Sequence, residues 1–197
     1  MIKNINTKMK LLLFPFMFVI IVVVSGFVYL HYSDMESKRN EVALKTDDFV
    51  QELLKGRISV YQFLREGTDT NKDKVIENFR LLDSEVMALK PKLTSPKNIA
   101  LSDEILASSK EYVNNFNIVA TLVIANTKNG LKEESAEIKT TITKMAESGV
   151  ILEGKINEIN KSALELKEEA HSLLNQILLI VVIVAILVFV VFSLLIS

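Results

Sequence analysis

The sequence predicts an all-α protein, an up-down-up-down four-helix bundle flanked by two transmembrane helices. Three observations lead there. Residues 11–30 and 177–196 are each 20 residues long without a charge. The stretch between them carries apolar residues at alternating spacings of four and three, the period of a helix packed on helices. The whole chain of 197 residues holds only 6 Gly and 3 Pro, too few turn formers for a sandwich or barrel of short strands.

At about 1.5 Å per residue, a 20-residue helix covers roughly 30 Å, the depth of bilayer hydrocarbon. Only a helix serves, because a lone strand in lipid leaves its backbone groups unpaired. Pro15 stands in the first turn of the first block, where a missing N–H costs little. A cleaved signal peptide has a shorter apolar region and a small-residue cleavage site. Here the bulky run Phe27-Val28-Tyr29-Leu30-His31-Tyr32 follows instead, so an uncleaved anchor is expected. Residues 1–10 hold Lys3, Lys8 and Lys10 and no acid, which keeps this tail in the cytoplasm by the positive-inside bias. The expected layout is thus a cytoplasmic tail at 1–10, a span at 11–30, a segment outside the membrane at 31–176 and a second span at 177–196. The chain is thus expected to cross a membrane twice, with the lipid bilayer as its first partner.

The outer segment builds its helices in order. Val42, Thr46, Phe49, Leu53, Gly56, Val60 and Phe63 form one seam of the first helix. Ala43, Asp47, Val50, Leu54, Arg57, Tyr61 and Leu64 form a second seam, one residue over. Two adjacent seams give a face wider than one bundle core needs. One can face the helix's own bundle and the other a second copy, a homodimer through helix one; the alternative is a single broad core face. Residues 67–71, Gly-Thr-Asp-Thr-Asn, break this helix, and Thr70 followed by Asp73 reads as the next helix start. Val75, Phe79, Leu82, Val86 and Leu89 are the seam of helix two. Pro91 and Pro96 bound a loop, with Ser95 capping a helix that begins at Pro96. Ser102, Ile105, Ser109, Tyr112, Phe116, Val119, Val123 and Asn126 line helix three, closed by Asn129-Gly130. Helix four starts near Leu131 and runs unbroken to the end of the second block. Its seam is Ile138, Ile142, Met145, Gly149, Leu152, Ile156, Ile159, Ala163, Leu166, Ala170 and Leu173. That single seam is narrow and rich in small residues, so it resists sliding less than the double seam of helix one.

The composition excludes much chemistry. With no Cys there are no disulfides, thiolate metal sites or thiol nucleophiles. His31 and His171 are the only histidines; both fall near the outer membrane face, where interfacial histidines are commoner than metal or haem pairs, and no metal and no cofactor is expected. A net charge of −1 argues against a nucleic-acid binder. The phosphate-loop, GxGxxG, HExxH and GxSxG motifs are all missing. Adjacent acids such as Asp47-Asp48, Glu133-Glu134 and Glu168-Glu169 point about 100° apart on a helix and make no two-carboxylate site. No enzyme activity is expected.

A binding site is the remaining option. Arg57, Tyr61 and Arg65 stand at i, i+4 and i+8 on one side of helix one, with Arg57 set in an otherwise apolar seam. Guanidinium groups at a partly desolvated interface suit a small ligand bearing a carboxylate, and Tyr61 can stack on it or hydrogen-bond it. The alternative is that Arg57 pairs with a Glu of another helix, or lays its stem along the seam with its head in water. Tyr112 and Asn115 on helix three are lesser candidates.

Residues 57–69, Arg-Ile-Ser-Val-Tyr-Gln-Phe-Leu-Arg-Glu-Gly-Thr-Asp, with Phe79 following, resemble the first-to-second helix turn of four-helix-bundle sensor domains. The order of short basic tail, span, helical ectodomain and span resembles the N-terminal half of a bacterial methyl-accepting chemotaxis receptor. The resemblance implies a homodimeric transmembrane sensor of a small molecule or a periplasmic binding protein. In it, helix four shifts against helix one and the second span relays the shift inward. Such receptors continue into a HAMP linker and a methylated cytoplasmic coiled coil, so the signalling output is expected to lie outside residues 1–197. The same ectodomain serves histidine kinases and cyclases, and a non-signalling envelope protein whose bundle binds another protein is the third reading.

Overall fold

A computed structural model describes residues 7–129 and 136–196. Four α-helices occupy these residues: α1, Thr7–Glu66; α2, Asp69–Leu89; α3, Pro96–Lys128; and α4, Ala136–Ile196. A single 3₁₀ turn, Lys90–Lys92, follows α2. Among the described residues there is no strand. The chain divides into two compact units, one of Met1–Arg39 with Leu166–Ser197 and one of Asn40–Glu165.

In the unit of Asn40–Glu165, all four helices supply buried side chains to one core. The first seam of α1 is inside, with Phe49, Leu53, Val60 and Phe63 buried. Thr46 is also fully buried, and its hydroxyl is satisfied by donating to the Ala43 carbonyl at 3.0 Å and to Asn160 Oδ1 at 3.2 Å. Every seam residue expected for α2 is buried, as are the α3 residues Ser102, Ile105, Ser109, Tyr112, Phe116 and Val119. From α4 come Met145, Leu152, Ile156 and Ile159.

The core closes through two glycines. A Cβ on Gly56 would lie 2.8 Å from Phe79 Cε2, and one on Gly149 would lie 2.9 Å from Tyr112 Cε2. The rings of Phe79 and Tyr112 meet at a centroid distance of 4.7 Å. Two large rings from α2 and α3 therefore rest on backbone bared in α1 and α4. Phe63 and Phe116 add an edge-to-face pair at 5.2 Å.

The α1–α2 turn is built on Gly67, whose φ of 59° lies in the left-handed region. Its N–H bonds the Phe63 carbonyl at 2.6 Å. The cap of α2 is Thr68 rather than the expected Thr70. Thr68 is extended, and its hydroxyl accepts from the Asn71 N–H at 3.2 Å, which starts the helix two residues earlier with Asp69 in the first turn. Ser95 is extended before Pro96, as expected, but its side chain makes no capping hydrogen bond. Asn129 ends α3 with its N–H on the carbonyls of Ala125 and Asn126; Gly130, Glu133, Glu134 and the expected start of helix four near Leu131 lie outside the described residues.

The unit of Met1–Arg39 with Leu166–Ser197 contains both uncharged blocks. Two of the helices are long and apolar enough to cross a membrane, and the apolar side chains of those stretches stand largely exposed, Phe27 and Leu30 on α1 and Leu179 and Ile186 on α4 among them. Pro15 differs from its expected position. Because α1 begins at Thr7, Pro15 lies inside the helix, where it removes one N–H of the ladder. The seam of α4 also drifts: Leu173 is exposed, whereas Leu174 is buried after Ala170. An untwisted helix turns by 3.6 residues, so a strict seven-residue seam slips by about 20° per repeat and passes to the next position. Arg39 donates to the Leu166 carbonyl at 3.0 Å.

The two α4 glycines give opposite signs in a stability measurement. Gly149→Ala pushes a methyl into the Tyr112 ring and costs about 1–3 kcal/mol. Gly154→Ala meets nothing within 4 Å and gains about 0.5–1 kcal/mol from helix propensity. Urea unfolding of the two variants, followed by helical circular dichroism, checks the pair.

Candidate functional site

Arg57 sits one residue after Gly56, on the edge of the α1 seam, and this position sets its direction. Its Nη1 donates to Glu153 Oε2 on α4 at 2.6 Å, with 33% of the arginine side chain and 43% of the glutamate side chain exposed. The expected alternative, a glutamate from another helix, is thus realised as an ion pair. A pair this open to water contributes no more than about 1 kcal/mol, so it orients the guanidinium without locking it.

Tyr112 is 5% exposed, seated on Gly149 and within reach of the Arg57 charge. Burial pushes its phenol up to about 12, the Arg57 charge pulls the other way, and Tyr61 adds a smaller upward push. Arg57 and Tyr61 therefore share one electrostatic neighbourhood with Tyr112. Tyr61 itself is 70% exposed. Asn115, one turn along α3, donates to Ser148 Oγ at 3.3 Å, and Ser148 in turn donates to the Met145 carbonyl at 2.9 Å.

Arg65 is held apart from this group. Its Nη2 donates to Glu66 at 2.8 Å, and Glu66 also accepts from Asn71 Nδ2 at 3.0 Å. Both donors and the Arg65 charge hold the Glu66 carboxyl below its ordinary range, the hydrogen bond from Arg65 being the largest cause. Arg57 pairs with Glu153 and shares its electrostatic neighbourhood with Tyr61 and Tyr112, while Asn115 pairs with Ser148; the seam analysis passed over Glu153 and Ser148. Glu153 had one available signal, an acid directly flanking seam residue Leu152.

The second seam of α1 divides by position. Ala43 is buried and Val50 and Leu64 are half-buried, but Leu54 and Tyr61 are exposed, as is the neighbouring Ile58. These three side chains, at spacings of four and three, form an apolar stripe beside Arg57. Of the histidines, His31 packs edge-on against Tyr32 at 5.2 Å, and His171 bonds Glu36 through Nδ1 at 2.9 Å. No group of three or more His, Cys, Asp or Glu side chains gathers as a metal site among the described residues.

No family model, no curated protein and no solved structure matches this chain.

The Tyr112 phenol gives the unit an alkaline limit. Its folded-state value is raised, so the neutral form is favoured on folding, and this stability is complete below about pH 10 and declines as pH rises toward 12. About two pH units correspond to roughly 2–3 kcal/mol. Tyr112→Phe is expected to flatten the fall in unfolding free energy between pH 10 and 12 by about that amount, as read from urea titrations at stepped pH.

Proposed function

We propose that this chain is the sensor module of a transmembrane chemoreceptor. In this reading Asn40–Glu165 is the core of an up-down-up-down four-helix bundle outside the cell, and residues 11–30 and 177–196 cross the inner membrane. A small ligand bearing a carboxylate binds beside Arg57, and the bundle relays its binding as a shift of α4 against α1. The homodimer forms through helix one.

One observation carries the proposal. In α1 and in α4, one uninterrupted helix contains both a segment that buries a seam in a common core and a 20-residue uncharged segment, whose apolar side chains at 15–30 and 177–191 are largely exposed. Such a helix has no use for its second segment in water, and a bilayer gives that segment a solvent. The open Arg57–Glu153 pair supports the ligand class. A guanidinium already oriented toward a carboxylate exchanges one carboxylate for another at little cost in ordering. The exposed stripe of Leu54, Ile58 and Tyr61 supports the dimer, since a second copy supplies the same apolar stripe across a two-fold axis.

Two measurements test the proposal. The chain contains no cysteine, so single cysteines label cleanly. Lys110→Cys in intact cells is expected to react with a membrane-impermeant maleimide and Lys10→Cys is expected to stay protected; the reverse pattern ends the proposed topology. In a thermal-shift screen of the full chain in detergent against amino acids, organic acids and purines, carboxylate compounds are expected to raise the melting temperature. Arg57→Ala is expected to abolish that rise while the helical circular dichroism is retained, and a loss of helicity in the variant would assign Arg57 a structural role instead.

A further inference from the structure

Within the unit of Met1–Arg39 and Leu166–Ser197, a cleft of about 720 Å³ opens along α4 against Glu36 of α1. Its lining changes character along the helix. Leu179, inside the uncharged block, forms one end. Ser172, Asn175 and Gln176 come next, one turn or more away, and all carry neutral hydrogen-bond donors. Beyond them, Glu168 of α4 and Glu36 of α1 bring two carboxylates to the other end.

We infer that this cleft binds the headgroup of a zwitterionic phospholipid whose cation is a primary ammonium, phosphatidylethanolamine. The inference rests on the reading that residues 177–196 lie in the bilayer. In such a lipid the acyl chains, the phosphate and the ammonium follow one another outward from the hydrocarbon. The cleft offers apolar surface, neutral donors and carboxylates in the same order. Leu179 and Asn175 are four residues apart, about 6 Å along the helix, and Ser172 and Glu168 are separated by the same step. These steps suit a phosphate beside Ser172 and Asn175 with its ammonium reaching Glu168 and Glu36.

The polar side chains are already aligned for this. His171 holds Glu36 at 2.9 Å through Nδ1 and meets Asn175 Nδ2 at 3.2 Å through Nε2. Gln176 donates to Ser172 Oγ at 3.3 Å. Lys167 shares the rim, but two carboxylates stand there against one ammonium, which disfavours an anionic headgroup. A trimethylammonium brings no N–H to the carboxylates, so a choline lipid forgoes the charge-assisted hydrogen bonds that an ethanolamine lipid makes.

The test is native mass spectrometry of the full chain taken from bilayers of equal parts phosphatidylethanolamine, phosphatidylcholine and phosphatidylglycerol. The expected result is retained phosphatidylethanolamine several-fold above its supplied share. The double variant Glu36→Gln and Glu168→Gln is expected to bring that ratio to unity, as is Asn175→Leu, which removes a phosphate donor and leaves both carboxylates in place. Asp34→Asn, which breaks only the exposed pair with Lys38, is expected to keep the enrichment. Retained lipid in the supplied proportions, a preference for phosphatidylglycerol, or enrichment that survives both cleft variants would overturn the inference. Chain that fails to float with the vesicles would defeat the membrane reading itself, an outcome distinct from floating without lipid preference.

Discussion

The seating of Phe79 and Tyr112 on the bare backbone of Gly56 and Gly149 is the contact on which the core and the candidate site both depend. Packed interiors tolerate neither a void nor an overlap of even one methyl group. Each ring therefore fixes where along α1 and α4 the helices of α2 and α3 dock. A slip of one turn would put a side chain where the ring now lies. The same contact fixes the Tyr112 phenol within reach of the Arg57 charge, so part of the electrostatics around the guanidinium is a by-product of core packing. A site built this way on helices inherits the rigidity of the core.

The two long helices solve a different problem in each half of their length. Between Asn40 and Glu165 their apolar residues face inward and their charges pair along the outside, Lys55 with Glu52 and Lys155 with Glu104 among them. In the uncharged blocks the division is not one of polarity: Met17, Ile21, Ser25 and Val28 on α1 and Ile177, Val181, Ala185 and Val188 on α4 are half-buried, yet the exposed positions between them are apolar too. Water rewards the first pattern and penalises the second; lipid does the reverse. The change from one pattern to the other occurs within α1 and within α4 without a proline or glycine between them.

Much of this was legible in the residues because burial imposes periodicity. The α2 seam of Val75, Phe79, Leu82, Val86 and Leu89 is buried at every position, and the first α1 seam likewise faces the core. What escaped depends on geometry that spacing does not encode. Thr68 and Thr70 are equal as capping residues, and only the left-handed turn at Gly67 decides between them. The step from Leu173 to Leu174 follows from accumulated helical drift rather than from any residue type. Pro15 is interior because α1 extends before the apolar block, and helix length there owes nothing to the seam. At the site, an arginine in an apolar seam announced itself. Its partner Glu153 did not, because glutamates flank seams throughout the chain and only the relative rotation of α1 and α4 selects one of them. The second α1 seam proved to be neither core nor solvent face alone, since alternate positions of it fall on each side.

One contact of the unit of Met1–Arg39 with Leu166–Ser197 bears on how this protein tolerates change. Arg39 grips the main-chain oxygen of Leu166, an atom that every amino acid possesses. Mutational drift at position 166 thus leaves the fastening untouched, whereas loss of the guanidinium removes it in one step. Of the two ends of this contact selection has only the arginine codon to guard, while the 2.9 Å bond of His171 to Glu36 fastens the same pair of helices nearby.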